Sequence, residues 1–173
     1  MSVVPGDAAS LSACAGTVSS VAAAVGVLSD PLAEAVRELS GGWSGRTSAT
    51  TRRRGDALAA AAGTTATALE RVGVVLQDHA TDLAELHARA RRVEERAGAA
   101  GLEVRHGRVV PRYGIAGEAD AAGDRHRDDA AVALQEELDA ITARHARRRD
   151  WLLGVLRAST DELAGVSHAL RRG

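Results

Sequence analysis

Ser40-Gly41-Gly42-Trp43-Ser44-Gly45 separates two long heptad-patterned segments, and its reading decides the fold. Glycines on both sides of a tryptophan allow a tight reversal and a close backbone approach. The indole adds a large apolar body with one N–H to satisfy. It is one of two tryptophans in a chain with one tyrosine and no phenylalanine. Upstream, Leu11, Cys14, Val18, Val21, Val25, Leu28, Leu32, Ala35 and Leu39 recur at alternating steps of three and four. An a/d seam of that kind is the pattern of helices packed lengthwise. Pro5-Gly6 precedes it, with Asp7 placed as an N-cap. Pro31 falls inside the seam without shifting its phase, so a kink with local re-capping is expected rather than a helix end.

Downstream, a second helix is expected from about Arg46 to Gly98. Its first seam positions are small (Ser48, Thr51, Gly55), which suits close approach near the turn. The stripe continues through Leu58, Ala62, Thr65, Leu69, Val72, Leu76, His79, Leu83, Leu86, Ala90, Val93 and Ala97. Residues 98–117 break the pattern. Leu102-Glu103-Val104 and Arg108-Val109-Val110 flank Arg105-His106-Gly107, which reads as a small β-hairpin or an extended connector. A third helix is expected from about Glu118 to Leu170, with the stripe Leu134, Leu138, Ile141, His145, Arg148, Leu152, Val155/Leu156, Ser159, Leu163, Val166, Leu170. The predicted fold is all-α. An elongated antiparallel helical hairpin spans 1–98, a connector 99–117, and a long C-terminal helix over 118–173 packs back on the hairpin.

Composition agrees with long helices. Aromatic residues make up 2% of the 173, and Ala, Val and Leu dominate the apolar share. All 22 basic residues are arginine, and the formal net charge of −1 supplies no field to attract nucleic acid or an anionic membrane. The N-terminus lacks a basic region followed by an apolar one, so no cleavable signal peptide is expected. The best uninterrupted apolar run, Val21 to Leu28, is short of the ~18 residues that span a bilayer, so stable membrane insertion is not expected. Cys14 is the single cysteine and forms no intramolecular disulfide.

Catalysis needs polar groups converging on a pocket. His79, His87, His106, His126, His145 and His168 show no His-x₃-His spacing, and Cys14 has no cysteine partner, so neither metal nor cofactor is expected. Glu94-Glu95, Asp128-Asp129 and Glu136-Glu137 are sequence neighbours that face different ways on a helix. Arg52-Arg53-Arg54 and Arg147-Arg148-Arg149 lack interleaved aromatics, which argues against nucleic acid. His79 and His145 lie on apolar stripes. In a hairpin centred near residue 108, His79 would stand level with about Glu136 and His145 with about Glu70, far from each other. No enzyme is expected.

A first helix of about 35 residues, then Gly41-Gly42-Trp43-Ser44-Gly45, then a long second helix, resembles the WXG100 (ESAT-6-like) superfamily of type VII secretion proteins. The resemblance covers roughly Gly6 to Gly98, and the opening Val4-Pro5-Gly6-Asp7 looks like actinobacterial members and the N-terminal targeting modules of their larger toxins. It implies a helical hairpin with a turn motif at Gly42, Trp43 and Gly45. It also implies pairing with another WXG100-like protein, a cognate toxin or a second copy, and export without a cleaved signal peptide through contact with a secretion ATPase. The chain would then be cytoplasmic before export and secreted or cell-surface afterwards. Leu11, Val18, Val25, Leu32, Leu69, Val72, Leu76 and Leu83 become the candidate partner interface. The alternative is a coiled-coil structural or adaptor protein unrelated to secretion.

Two features depart from the family pattern. The third helix is additional, and either covers the hairpin in place of a partner or extends the interface. The family's Tyr-x₃-Asp/Glu export signal is matched imperfectly by Tyr113 and Glu118, which are one residue too far apart.

Overall fold

In a computed structural model of the chain, residues 3–42, 45–112 and 121–172 are described. Three helices dominate: α1 (Ala8–Gly42), α2 (Arg46–Ala99) and α3 (Ala121–Arg172), with strands β1 (Leu102–Arg105) and β2 (Arg108–Pro111) between the last two. The fold is all-α, as the heptads predict.

Glycine sets the punctuation. Gly45 has a φ of 122°, and its carbonyl accepts the Ala49 amide at 3.1 Å, so it stands as the N-cap of α2. At the other end Gly101, with φ 71°, takes the left-handed conformation that stops a helix. The β1–β2 hairpin is antiparallel, pairing Leu102 with Pro111 and Arg105 with Arg108. His106 and Gly107 both have positive φ (53° and 78°), the signature of a two-residue primed turn that matches strand twist. Gln135 of α3 holds that turn: its Oε1 accepts the Val109 amide at 2.8 Å, and its Nε2 donates to the Gly107 carbonyl at 3.2 Å. This tertiary clamp explains why a two-stranded ribbon, marginal alone, forms here.

The chain makes two compact units. The first comprises Met1–Ala8 and His79–Asp150, the second Ala9–Asp78 and Trp151–Gly173. In the first unit, Leu83, Leu86, Val93, Leu102, Leu134, Leu138 and Ile141 are buried, together with Val4 from the N-terminal segment. The α2 and α3 residues among them lie on the predicted stripes, whereas Leu102 belongs to β1.

In the second unit the core is built differently. Ala15, Val72, Leu76 and Leu152 form a buried cluster, with Leu11, Val18, Val75 and Leu156 packed against it. Leu152 and Leu156 come from α3, so the third helix covers part of the hairpin within the same chain. Helix α1 departs from the predicted seam. Ala15, Ala22 and Val36 are buried, whereas Cys14, Val21, Leu28 and Ala35 are exposed. The reason is steric. A Cβ built on Gly73 would run into Ser19 Oγ, and one on Gly55 into Val36 Cγ2. At Gly26 it would lie 3.7 Å from Ala66 Cβ. So α1 and α2 meet through small residues, and that close approach turns the bulkier d-position side chains outward. The α1 helix continues through Pro31; Ser29 Oγ donates to the Gly26 carbonyl at 2.8 Å just ahead of it.

Candidate functional site

Two features of the described residues stand out: an apolar surface on the second unit and a buried histidine seam in the first. Trp43, Tyr113 and Glu118 lie outside the described residues. Gly42 ends α1 and Gly45 begins α2.

The predicted interface residues fall into two groups. Leu11, Val18, Val72 and Leu76 belong to the core that α3 completes, and Leu83 is buried in the first unit. Val25, Leu32 and Leu69 are half-buried. Eight of the nine exposed large hydrophobic side chains among the described residues belong to the second unit: Val21, Val27 and Leu28 on α1, Leu58 and Val74 on α2, and Trp151, Leu153 and Leu170 on α3. Val27 and Leu28 are the most open, at 72% and 63%. Between Asp7 and Asp30 the α1 sequence carries no charge. Within Ala8–Glu38 an 18-residue window reaches a mean hydropathy of 1.8, so by length and composition α1 is long and apolar enough to cross a membrane, a test that core helices and signal sequences also pass. A search for one uninterrupted apolar run misses this, because Ser, Thr and Gly break the run without adding charge.

At one end of the same unit, Arg53, Arg54 and Arg171 line a cleft of about 640 Å³ whose apolar lining is Ala57, Leu58, Ala169 and Leu170. Arg53 and Arg54 of the Arg52-Arg53-Arg54 run thus face the last turn of α3.

The histidine seam corrects the predicted register. His79 and His145 are not far apart, and neither pairs with Glu136 or Glu70. Ion pairs Arg96–Glu137 (2.6 Å) and Asp82–Arg148 in the first unit, and Arg71–Glu162 (3.2 Å) in the second, centre the α2–α3 pairing near residue 116, not 108. The prediction assumed a symmetric connector. Instead the β-hairpin packs beside α3 at Gln135, and α3 begins well after α2 has ended.

At the corrected register five polar groups meet within an aliphatic seam. His79 and His145 are 5% and 8% exposed. Asp82, one turn from His79, accepts hydrogen bonds from Arg144 at 3.3 Å and pairs with Arg148. Burial pushes the His79 imidazole below its ordinary range, and the nearby His145 and Arg148 lower it further against a smaller opposing effect of Asp82. His145 is also lowered, first by burial, then by Arg149 and His87; its hydrogen bond to the Pro5 backbone works the other way. Both rings are therefore held toward the neutral form. His79 Nδ1 is buried with no hydrogen-bond partner among the described residues. His87 Nε2 lies 3.0 Å from the Val4 carbonyl, to which it donates.

The sequence reading singled out His79 and His145 but missed Asp82, Arg144 and the Val4-Pro5 segment. Asp82 carried a signal, since it follows His79 by three residues and so shares its helix face. The segment carried none, because a short stretch without regular secondary structure has no periodicity to read.

Among the described residues, no group of three or more His, Cys, Asp or Glu side chains is arranged to hold a metal. No protein-family model, curated protein or solved structure matches the chain.

Proposed function

We propose that the chain is a non-enzymatic helical protein of a type VII secretion system, a WXG100-like substrate or toxin-targeting partner that acts by helix-bundle association. The observation that supports this reading most is the apolar face left open on α1. The row Cys14, Val21, Leu28 and Ala35 repeats every seven residues along a helix that carries no charge before Asp30, and it is exposed, with Val27 beside it. A repeating apolar row of this kind suits a partner helix laid lengthwise against it. The boundary between α1, which ends at Gly42, and α2, which begins at Arg46, falls where the family's turn motif is expected.

In this reading the partner seats on the outer row of α1, because α3 already occupies the Leu11, Val18, Val72 and Leu76 side of the hairpin. Co-expression with the products of neighbouring genes, followed by mass measurement of the intact complex, tests it. A defined complex that is lost in Val27→Ser/Leu28→Ser supports the proposal. A strict monomer with every candidate partner sinks it. Trp43→Ala is expected to impair export or pairing more than it lowers the melting temperature. A large thermal destabilisation with export of the folded fraction intact would reduce Trp43 to a plug.

A further inference from the structure

We propose that residues 3–6 form a detachable strap, which the α2–α3 histidine seam holds at neutral pH and releases in acid. The strap is seated in a specific way. The Val4 side chain is fully buried, although the segment around it is short and has no secondary structure of its own. Its carbonyl accepts from His87 of α2. The carbonyl of Pro5, the only hydrogen-bonding group on that residue's backbone, accepts from His145 of α3. Gly6, at φ 114°, lies so close to Leu83 that an added Cβ would sit 3.1 Å from its Cδ2. Two consecutive carbonyls are thus received by histidines on two different helices. The strap stays seated only while α2 and α3 keep their spacing.

The charges around the seam are unbalanced. From α2 come His79, Asp82 and His87; from α3 come Arg144, His145, Arg148 and Arg149; the strap has no ionisable side chain, and Asp7, exposed, directly follows it. Arg149 is paired with Asp150, which leaves Asp82 as the carboxylate facing the buried groups. Protonating His79 and His145 adds two cations and no anion. It also places a proton on both ring nitrogens of His79, whose Nδ1 has no acceptor in reach among the described residues. The repulsion acts across the seam, because His79 belongs to α2 and both His145 and Arg148 belong to α3. A protonated His145 ring still donates to Pro5, so helix spacing is the element that fails. The strap leaves first because a single buried side chain anchors this short segment, whereas the helices share a continuous aliphatic stripe.

Thiol accessibility tests this in the full-length chain. Val4→Cys introduces a buried thiol, and the exposed Cys14 serves as an internal reference, so the ratio of their maleimide labelling rates cancels the ordinary pH dependence of thiols. The introduced thiol is expected to react at least tenfold more slowly than Cys14 at pH 7.5 and at a comparable rate at pH 5.0, with helix content by circular dichroism unchanged. The slow rate is expected to persist at pH 5.0 in His79→Leu/His145→Gln, where glutamine keeps a donor for Pro5. Val3→Cys, which leaves Val4 in place, is read the same way and guards against loosening by the first substitution. Equal rates at pH 7.5, slow labelling at both pH values, a pH response that survives in the double-histidine variant, or loss of helix in step with labelling would each overturn the proposal.

Discussion

The two units share α2 and α3 yet solve the packing problem in opposite ways. The first fills its interior with Leu, Ile and Val and then places a histidine–carboxylate–guanidinium cluster inside it. The second brings helices together through Gly26, Gly55, Gly73, Ala15 and Ala22, and leaves its larger apolar side chains outside. A seam of small residues gains close backbone contact but buries little apolar area per residue. The large side chains displaced from it become surface. Burial in the first unit therefore serves folding, while part of the apolar content of the second remains available for association.

The largest test of that contrast is truncation on each side of it. Leu138 and Ile141 are fully buried in the first unit. Leu138→Ala is expected to cost about 2–5 kcal/mol, the range for a core leucine that leaves a cavity. Leu28→Ala, at 63% exposure, is expected to change stability by less than about 0.5 kcal/mol. Denaturant titration of both variants measures the difference. Equal losses would show that the open α1 row is packed in solution, and the contrast would fail.

A glycine substitution gives the next effect. Gly55→Ala would gain about 1 kcal/mol from helix propensity. Its new methyl, however, meets Val36, a β-branched side chain with little rotamer freedom on a helix. Overpacking of this kind costs about 1–3 kcal/mol, so a net destabilisation is expected. Gly63, with open space around its Cα, is the control: Gly63→Ala is expected to stabilise. If thermal melts showed both variants stabilised, the small-residue seam would not be a close one.

Legibility in the sequence followed the same division. Stripes of large residues were readable: Leu83, Leu86, Val93, Leu138, Ile141 and Leu152 were all predicted inward and are buried. The α1 seam was misread because a hydrophobic pattern gives Val21 and Leu28 more weight than Ala15 and Ala22. Close helix approach, set by glycines on the opposite helix, reverses that order. The α2–α3 register was beyond the pattern as well. Heptads fix which face of a helix turns inward but not how far one helix slides along another, and a connector that packs sideways moved the centre by about two turns of α-helix. The candidate site inherited that error: His79 and His145 were rightly placed on inward stripes and wrongly placed relative to each other.

Acid titration is the most selective way to separate the units, although its expected effect is the smallest. The buried polar residues of the second unit among those described are Ser48 and Ser159, neither of which titrates near neutrality. In the first they are His79 and His145, both lowered from 6.5 chiefly by burial. A histidine with a depressed folded pKa binds its proton more readily in the unfolded chain. The associated stability is fully present above about pH 6.5, declines as pH falls below it, and levels off once the folded pKa has been passed. Hydrogen exchange across that interval is expected to accelerate at amides of residues 79–90 and 138–150, with protection within 60–76 unchanged after correction for intrinsic rates. The response is assigned to these two rings, and water reaching the partly exposed Arg144 weakens the repulsion they add. Uniform acceleration along α2 would mean that the two units open together and that the histidines report the stability of the whole chain. Acceleration confined to the first unit would assign the acid response to the His79–His145 seam.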